Sequence, residues 1–336
     1  MRACPSCGDA PQEILVSADA IAEEIALRRK FFAARIDGWV EPAQQKDRVD
    51  VAQSEPAEVR VCRACGVLVR GRGDGARFAA DPYAPHVMEQ MLRTYIDEFR
   101  AREPRIRPLL PEGAKAIEIG SYVGGFLHVA REWGWDIVGL DVGEDTSHFS
   151  RAKGYPTRTA SLDDCAFDDA SLDGVFIWNT FEQIDDPRAL LAEARRVLRP
   201  RGVLVIRTPN ALFYAMIESL LDLRRPLPLD DHDPLIVALG HANLLGFPHL
   251  YGFSAASLDR LVAAHGFDAV AHVSTPHIPP TRHRLSATAR IEEERTNAAM
   301  AKLEAAFGDV VIGPWLETVY RSFSPPRGEK VPRSGG

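Results

Sequence analysis

The chain has 336 residues, with 40 Lys and Arg against 47 Asp and Glu and a formal net charge of −7. That length can bury a full α/β core with a smaller unit beside it, and 46% apolar with 26% charged residues are the proportions of an ordinary globular protein. The acidic balance argues against sequence-independent binding to nucleic acid. No apolar run approaches the roughly 18–20 residues that span a bilayer, and MRACPSCGDA lacks the apolar centre of an export signal, so a cytoplasmic location is expected.

Residues 1–16 carry the first of two CxxC pairs. Residues 19–38 set Ile21, Ile25, Leu27, Phe31, Phe32 and Ile36 at roughly helical spacing, with Gly38 as a stop. Polar residues 41–57 read as a loop, and 59–70 hold the second pair between short β-branched runs. The Gly-, Asp- and Pro-rich stretch 71–85 reads as a linker. A helix over 86–101 is expected to end before Pro104. Strands at 115–119, 136–141, 156–160, 173–178 and 202–208 then alternate with helices at 124–133, 145–153 and 187–198. Such spacing means βαβ crossovers and a parallel sheet. A helix at 211–223 leads into an irregular segment, 225–250. A helix at 254–266, a strand at 267–274, a polar helix over about 288–306 and a last strand at 315–323 follow. The expected division is a cysteine-bearing module over 1–80, a main domain over 86–323 and a disordered tail over 324–336.

The chemistry concentrates between the first two strands of the main domain. In Glu118-Ile-Gly-Ser-Tyr-Val-Gly-Gly-Phe126, Gly120 permits a sharp turn, and Gly124 and Gly125 let backbone approach a ligand where a helix begins. Free N–H groups at that helix start suit a carboxylate-bearing ligand. Asp141 ends the next strand, where a carboxylate accepts hydrogen bonds from ribose hydroxyls. The spacing G-x-x-x-G-G departs from the G-x-G-x-x-G of nicotinamide-binding folds.

EIGSYVGGF resembles the first motif of the class I S-adenosylmethionine-dependent methyltransferases, (D/E)-x-G-x-G-x-G. FDDASLDGVFIWNTFEQIDDPRALLAEARRVLRPRGVLVIRTPN resembles their fourth strand, following helix and fifth strand. The resemblance runs over about residues 86–272. It implies an α/β, Rossmann-like seven-stranded methyltransferase sheet in the order 3-2-1-4-5-7-6, its last strand antiparallel, with a small zinc-ribbon-like module in front. It implies S-adenosyl-L-methionine as cofactor. Glu118, Gly120, Ser121, Tyr122 and Gly124 would lie at its amino-acid end, Asp141 at the ribose, Ser161 and Leu162 at the adenine, and Asn179 and Thr180 at the sulfonium. Two residues depart from the pattern. Tyr122 stands at the middle glycine, so the loop is expected to differ locally. Gln183 replaces a common histidine and cannot act as a general base.

Cys4, Cys7, Cys62 and Cys65 form two knuckles, CPSCG and CRACG, whose four thiolates suit a closed tetrahedral structural Zn2+ site. A redox CxxC is the alternative. Through residue 75 there are 11 Lys and Arg against 12 Asp and Glu, which does not suit a module that grips RNA. The expected acceptor is therefore a small molecule, such as a sugar or secondary-metabolite intermediate. An RNA methyltransferase and a non-catalytic methyltransferase-like binding protein are the alternatives. His249 and His241 are the candidate acceptor-side catalytic residues. His232 and Asp233, in the run DDHD, read as a solvated loop, and Cys165 as an unreactive thiol. Oligomeric state has no sequence signal.

Overall fold

A computed structural model describes residues 3–8, 12–38, 57–71, 84–224, 233–242, 249–276, 282–308 and 310–323. Most of the expected loop at 41–57 and of the linker at 71–85 lies outside the described residues, as does the whole tail at 324–336.

The chain opens with β1 (Gln12–Val16) and α1 (Ala18–Ala33). Ser17 caps α1, its hydroxyl accepting the N–H of Ala20 at 3.2 Å. β2 (Val59–Cys62) and β3 (Leu68–Arg70) form a hairpin whose turn is the second cysteine knuckle. The long α2 (Pro85–Ile106) follows. It runs past Pro104, where the sequence suggests a stop. Its last turns are held by tertiary contacts: Phe99, Arg102 and Ile106 are buried, and Arg102 pairs with Glu98 at 2.6 Å and with Glu317 at 3.2 Å. Removing one partner of such a buried pair strands a charge, so these contacts outweigh one missing backbone bond.

The main sheet comprises β4 (Lys115–Ile119), β5 (Asp136–Asp141), β6 (Thr157–Thr159), β7 (Leu172–Trp178) and β8 (Leu198–Pro209). These strands alternate with α3 (Gly125–Glu132), α4 (Glu144–Ala152) and α5 (Pro187–Val197). Asp186 caps α5 by accepting the N–H groups of Arg188 and Ala189, with Pro187 in the first turn. β4 lies between β5 and β7, both parallel to it, so Ile117 faces Val138 on one side and Val175 on the other. The two faces are the two halves of the core. Ile117, Ile119, Val175, Leu204 and Ile206 pack on one. Phe126, Trp135, Phe176, Trp178 and Val203 pack on the other, where Trp178 belongs to an aromatic cluster.

The chain then forms α6 (Ala211–Arg224), α7 (Pro234–Ala242), β9 (Tyr251–Gly252), α8 (Ala255–Ala263), β10 (Phe267–Thr275), α9 (Ala287–Phe307) and β11 (Trp315–Ser322). The sheet order is β10-β11-β8-β7-β4-β5-β6, with β11 antiparallel to both neighbours. Counted from β4, this is the order 3-2-1-4-5-7-6. Among the described residues no helix is long and apolar enough to cross a membrane.

Three elements are absent from the sequence expectation. β1 is a five-residue strand beside the knuckles. α7 lies within the stretch read as irregular, where its nine residues are too few to display a clear period, and Asp233 starts it by accepting the N–H of Leu235. β9 has two residues and completes a second sheet, β1-β2-β3-β9. That small sheet therefore draws on both segments that the sequence separates. Beneath it, Ile21, Ile25, Phe31 and Phe32 of α1 share a core with Phe213, Tyr214 and Ile217 of α6 and Ile236 of α7.

Candidate active site

The strand order reverses between β4 and β7, and open α/β sheets bind ligands at the carboxyl ends of the strands at such a point. The loops leaving these two strands touch there. Gly120 has φ of +75°, and a Cβ on it would lie 2.0 Å from Thr180 Oγ1, so only glycine fits. Tyr122 also takes the left-handed conformation, at φ +49°, which glycine adopts without strain. Its ring leans on α2: the hydroxyl reaches Met91 Sδ at 3.0 Å, and the ring meets Tyr95 edge to face. At Gly124 and Gly125 an added Cβ would strike Tyr155 and Tyr95, so both serve the close packing of this loop against protein.

Two carboxyl groups define the crevice. Asp141 Oδ2 accepts the N–H of Tyr122 at 2.7 Å. Its Oδ1 accepts the N–H of Gly143 at 2.8 Å and the Thr146 hydroxyl at 3.0 Å. Asp141 thus ties the glycine loop to the start of α4. Burial pushes its pKa up, against the pull of those donors. Glu118 is buried, and its Oε2 has no hydrogen-bond partner among the described residues. Burial, with the nearby Asp141 charge, raises its pKa well above the ordinary carboxylate range. A buried carboxyl with an orphaned oxygen, beside a carboxylate with acceptor capacity left, fits a ligand bearing an ammonium group and hydroxyls. The Ser121 hydroxyl is likewise buried, with no hydrogen-bond partner among the described residues. Ser161 Oγ donates to Asp164 at 2.6 Å in the turn after β6, and Leu162 is buried in the core.

Beyond β7 the backbone is closely held. Asn179, at φ +53°, donates its N–H to Arg207 O at 3.0 Å. Its side-chain oxygen accepts from Arg207 Nη1, and its carbonyl accepts from Gln183 Nε2 at 2.7 Å. Gln183 therefore braces a left-handed residue. Arg207 is buried across the Trp315 ring and also donates to Thr275 and to Pro276 O.

Glu182, directly before Gln183 in this turn, is fully buried, with no well-formed hydrogen bond to its carboxyl oxygens among the described residues. Burial raises its pKa to about 8 against the pull of Arg207. His249 Nε2 lies 3.5 Å from its Oε1, and the His249 ring stands edge-on to Trp315. A buried carboxyl facing a buried imidazole just past the ends of β7 and β8 can take up a proton. Sequence reasoning passed over Glu182 in favour of its neighbour Gln183. The available signal was a carboxylate set between apolar Phe181 and Ile184 directly after a core strand. The side chain of His241 and the whole of His232 lie outside the described residues. Cys165 is buried in the core.

The four cysteines of the knuckles come together, their sulfur atoms all within 4.8 Å of one another. Cys4–Cys65 is 3.4 Å, Cys7–Cys62 3.3 Å and Cys7–Cys65 3.6 Å, and all four are free thiols. Tetrahedral zinc with sulfur ligands at about 2.3 Å sets them about 3.8 Å apart, close to this arrangement. Burial opposes the charged form of Cys62, but thiol and backbone donors outweigh it and bring its pKa to about 7. Burial pushes Cys7 up to about 11 and Cys4 higher still.

Comparison with known proteins adds the following. A family model described as a methyltransferase domain matches residues 88–272. A probable S-adenosylmethionine-dependent methyltransferase of Mycolicibacterium smegmatis is 35% identical over 82 residues, 24% of this chain and 32% of that protein. An uncharacterized protein of Mycobacterium tuberculosis is 27% identical over 201 residues, 60% of this chain and 63% of its own length. The chain thus spans less than two thirds of either relative. Among solved structures, a SAM-dependent methyltransferase from Archaeoglobus fulgidus has TM-score 0.44 at 18% identity, covering 70% of this chain and 99% of that one. Phosphoethanolamine N-methyltransferase 2 of Haemonchus contortus has TM-score 0.46 at 14% identity, covering 72% and 58%.

Proposed function

The chain belongs to the methyltransferase-domain family, whose model spans residues 88–272, and on that premise we propose that it transfers a methyl group from S-adenosylmethionine to a small-molecule acceptor. The observation that carries the proposal is the buried, unpartnered Glu118 carboxyl beside Asp141, at the point where the strand order reverses. S-adenosylmethionine, when bound, supplies an electrophilic methyl on a sulfonium. Glu118 receives the ammonium of its amino-acid end, with Gly120, Ser121, Tyr122 and Gly124 around it. Asp141 takes a ribose hydroxyl on its remaining acceptor capacity. Ser161 and Leu162 flank the adenine, and Asn179 and Thr180 border the sulfonium.

An in-line displacement mainly needs the acceptor held in alignment, and a hydroxyl acceptor must also lose its proton. His249, whose Nε2 lies 3.5 Å from Glu182 Oε1, takes that proton with Glu182 beside it. Glu182 ionises as the pH rises through about 8, so transfer to a hydroxyl rises with pH through that value. Cys4, Cys7, Cys62 and Cys65 would hold a zinc ion as its four thiolate ligands, a set suited to a structural role.

Incubating the protein with methyl-labelled S-adenosylmethionine and either a low-molecular-weight cell extract or total RNA tests the acceptor class. Label is expected in the small-molecule fraction. Label in RNA alone would overturn that class.

A further inference from the structure

We infer that the four-cysteine cluster positions the acceptor base: the metal-bound knuckles fix the β2–β3 hairpin, and the hairpin fixes, through β9, the backbone that brings His249 to Glu182. This rests on the zinc and base assignments proposed above.

The connection is a short run of backbone bonds. The Cys62–Cys65 knuckle closes the hairpin, with Cys62 N donating to Val67 O at 2.9 Å and Gly66 N to Cys62 O at 2.7 Å. β3 leaves that turn and pairs with β9, Leu68 opposite Gly252 and Val69 opposite Tyr251. One step further, Arg70 N donates to Leu250 O at 2.9 Å, and Leu250 N donates to Glu182 O at 2.8 Å. His249 is the next residue. β9, which begins two residues after it, is two residues long, at the edge of the small sheet. A strand this short has little stability of its own; it is held by β3 on one side and by the main domain on the other, where Ala211 N donates to Phe253 O at 3.0 Å and Tyr251 Oη to Asp185 O at 3.2 Å.

The knuckles are braced against the main domain. Arg188 Nε donates to Pro5 O at 2.7 Å, the Ser6 hydroxyl to Ser257 O at 3.0 Å, and Arg260 Nη1 to Ala64 O at 3.3 Å. Cys4, Cys62, Val67 and Val69 share one core with Tyr251 and Phe253. The hairpin and the His249 segment meet around a small void of about 10 Å³, lined by Val59, Leu68, Arg70, His249 and Leu250. Among the described residues the donor loop after β4 is tied through Asp141 and touches the turn after β7 where Gly120 meets Thr180.

The test uses the full chain loaded with zinc, the same protein stripped by a chelator, and Cys65→Ser, whose side chain is only partly buried. Metal content is read first. Amide exchange is followed at residues 68–70 and 250–252 and across β4, His249 by its imidazole NMR signal (assigned with His249→Gln), and cofactor affinity by calorimetry. Zinc loss is expected to speed exchange at Arg70 and Leu250 by roughly tenfold or more and to shift the His249 signal. Exchange in β4 should hold, and cofactor affinity should stay within about threefold. Zinc loss that leaves Arg70, Leu250 and His249 unchanged would overturn the inference. So would equal loosening of β4 with loss of cofactor binding, because the cluster would then hold the whole fold. A zinc-supplemented chain that retains no zinc would refute the metal assignment itself.

Discussion

The donor crevice and the acceptor side are assembled in different ways. From Glu118 to Asp141, one strand, one turn, one helix and the next strand supply the residues that shape the crevice, and its hydrogen bonds join neighbours in sequence. The acceptor side gathers Glu182 after β7, Arg207 of β8, His249 before β9 and Trp315 of β11, with the knuckles of residues 4–7 and 62–65 behind them. A site folded from one local unit keeps its shape through that unit. A site collected from such distant segments depends on whatever holds the most remote of them.

That contrast can be broken in several places. Cys62→Ser should give the largest effect, lowering bound zinc and costing several kcal/mol of stability, given that structural zinc contributes on the order of 10 kcal/mol. Thermal unfolding and metal content would check it, and full zinc content in the variant would rule out a four-thiolate site. Glu182→Gln comes next. Because the folded-state pKa is raised to about 8, the carboxyl's contribution is fully present below its unfolded value of about 4.3. It is lost as the pH rises through 8. The native protein should therefore lose on the order of 2–4 kcal/mol relative to Glu182→Gln between pH 5 and pH 8.5. Parallel pH profiles of unfolding would refute the buried-carboxyl assignment.

On the donor side, Gly120→Ala sets a Cβ against Thr180 and strains a positive φ. It should cost roughly 2–3 kcal/mol of stability, read by denaturant unfolding. A neutral substitution would mean that the β4 and β7 loops are not in contact. Asp141→Ala should weaken S-adenosylmethionine binding by roughly 1.5–3 kcal/mol, the scale of hydrogen bonds to a charged group. Its calorimetric isotherm would check the ribose assignment. Asp141→Asn, which keeps an acceptor toward the ribose but carries no charge, should fall between native and alanine.

The same contrast explains what was legible before the structure. β4, β5 and β7 are short apolar runs with clear breaks, so their positions follow from the sequence, while the order of the sheet was what the family resemblance implied. CxxC spacing brought four thiols together across 55 positions because ligand chemistry is local to each knuckle. β9 was illegible because two residues have no period, and only pairing with β3 makes them a strand. α2 overran Pro104 because Glu317, more than two hundred residues away, pairs with Arg102. Glu182 was overlooked because its burial arises from β8 and the His249 segment. Gln183, read only as a lost histidine, has a backbone-bracing role that its own neighbourhood does not reveal.

The most direct measurement is a calorimetric titration of the zinc-replete chain with S-adenosylmethionine, repeated on Glu118→Ala and Asp141→Ala. One cofactor should bind per chain, and both variants should bind more weakly. Absence of binding to the native protein, or equal affinity in all three, would contradict a cofactor site at the β4–β7 reversal.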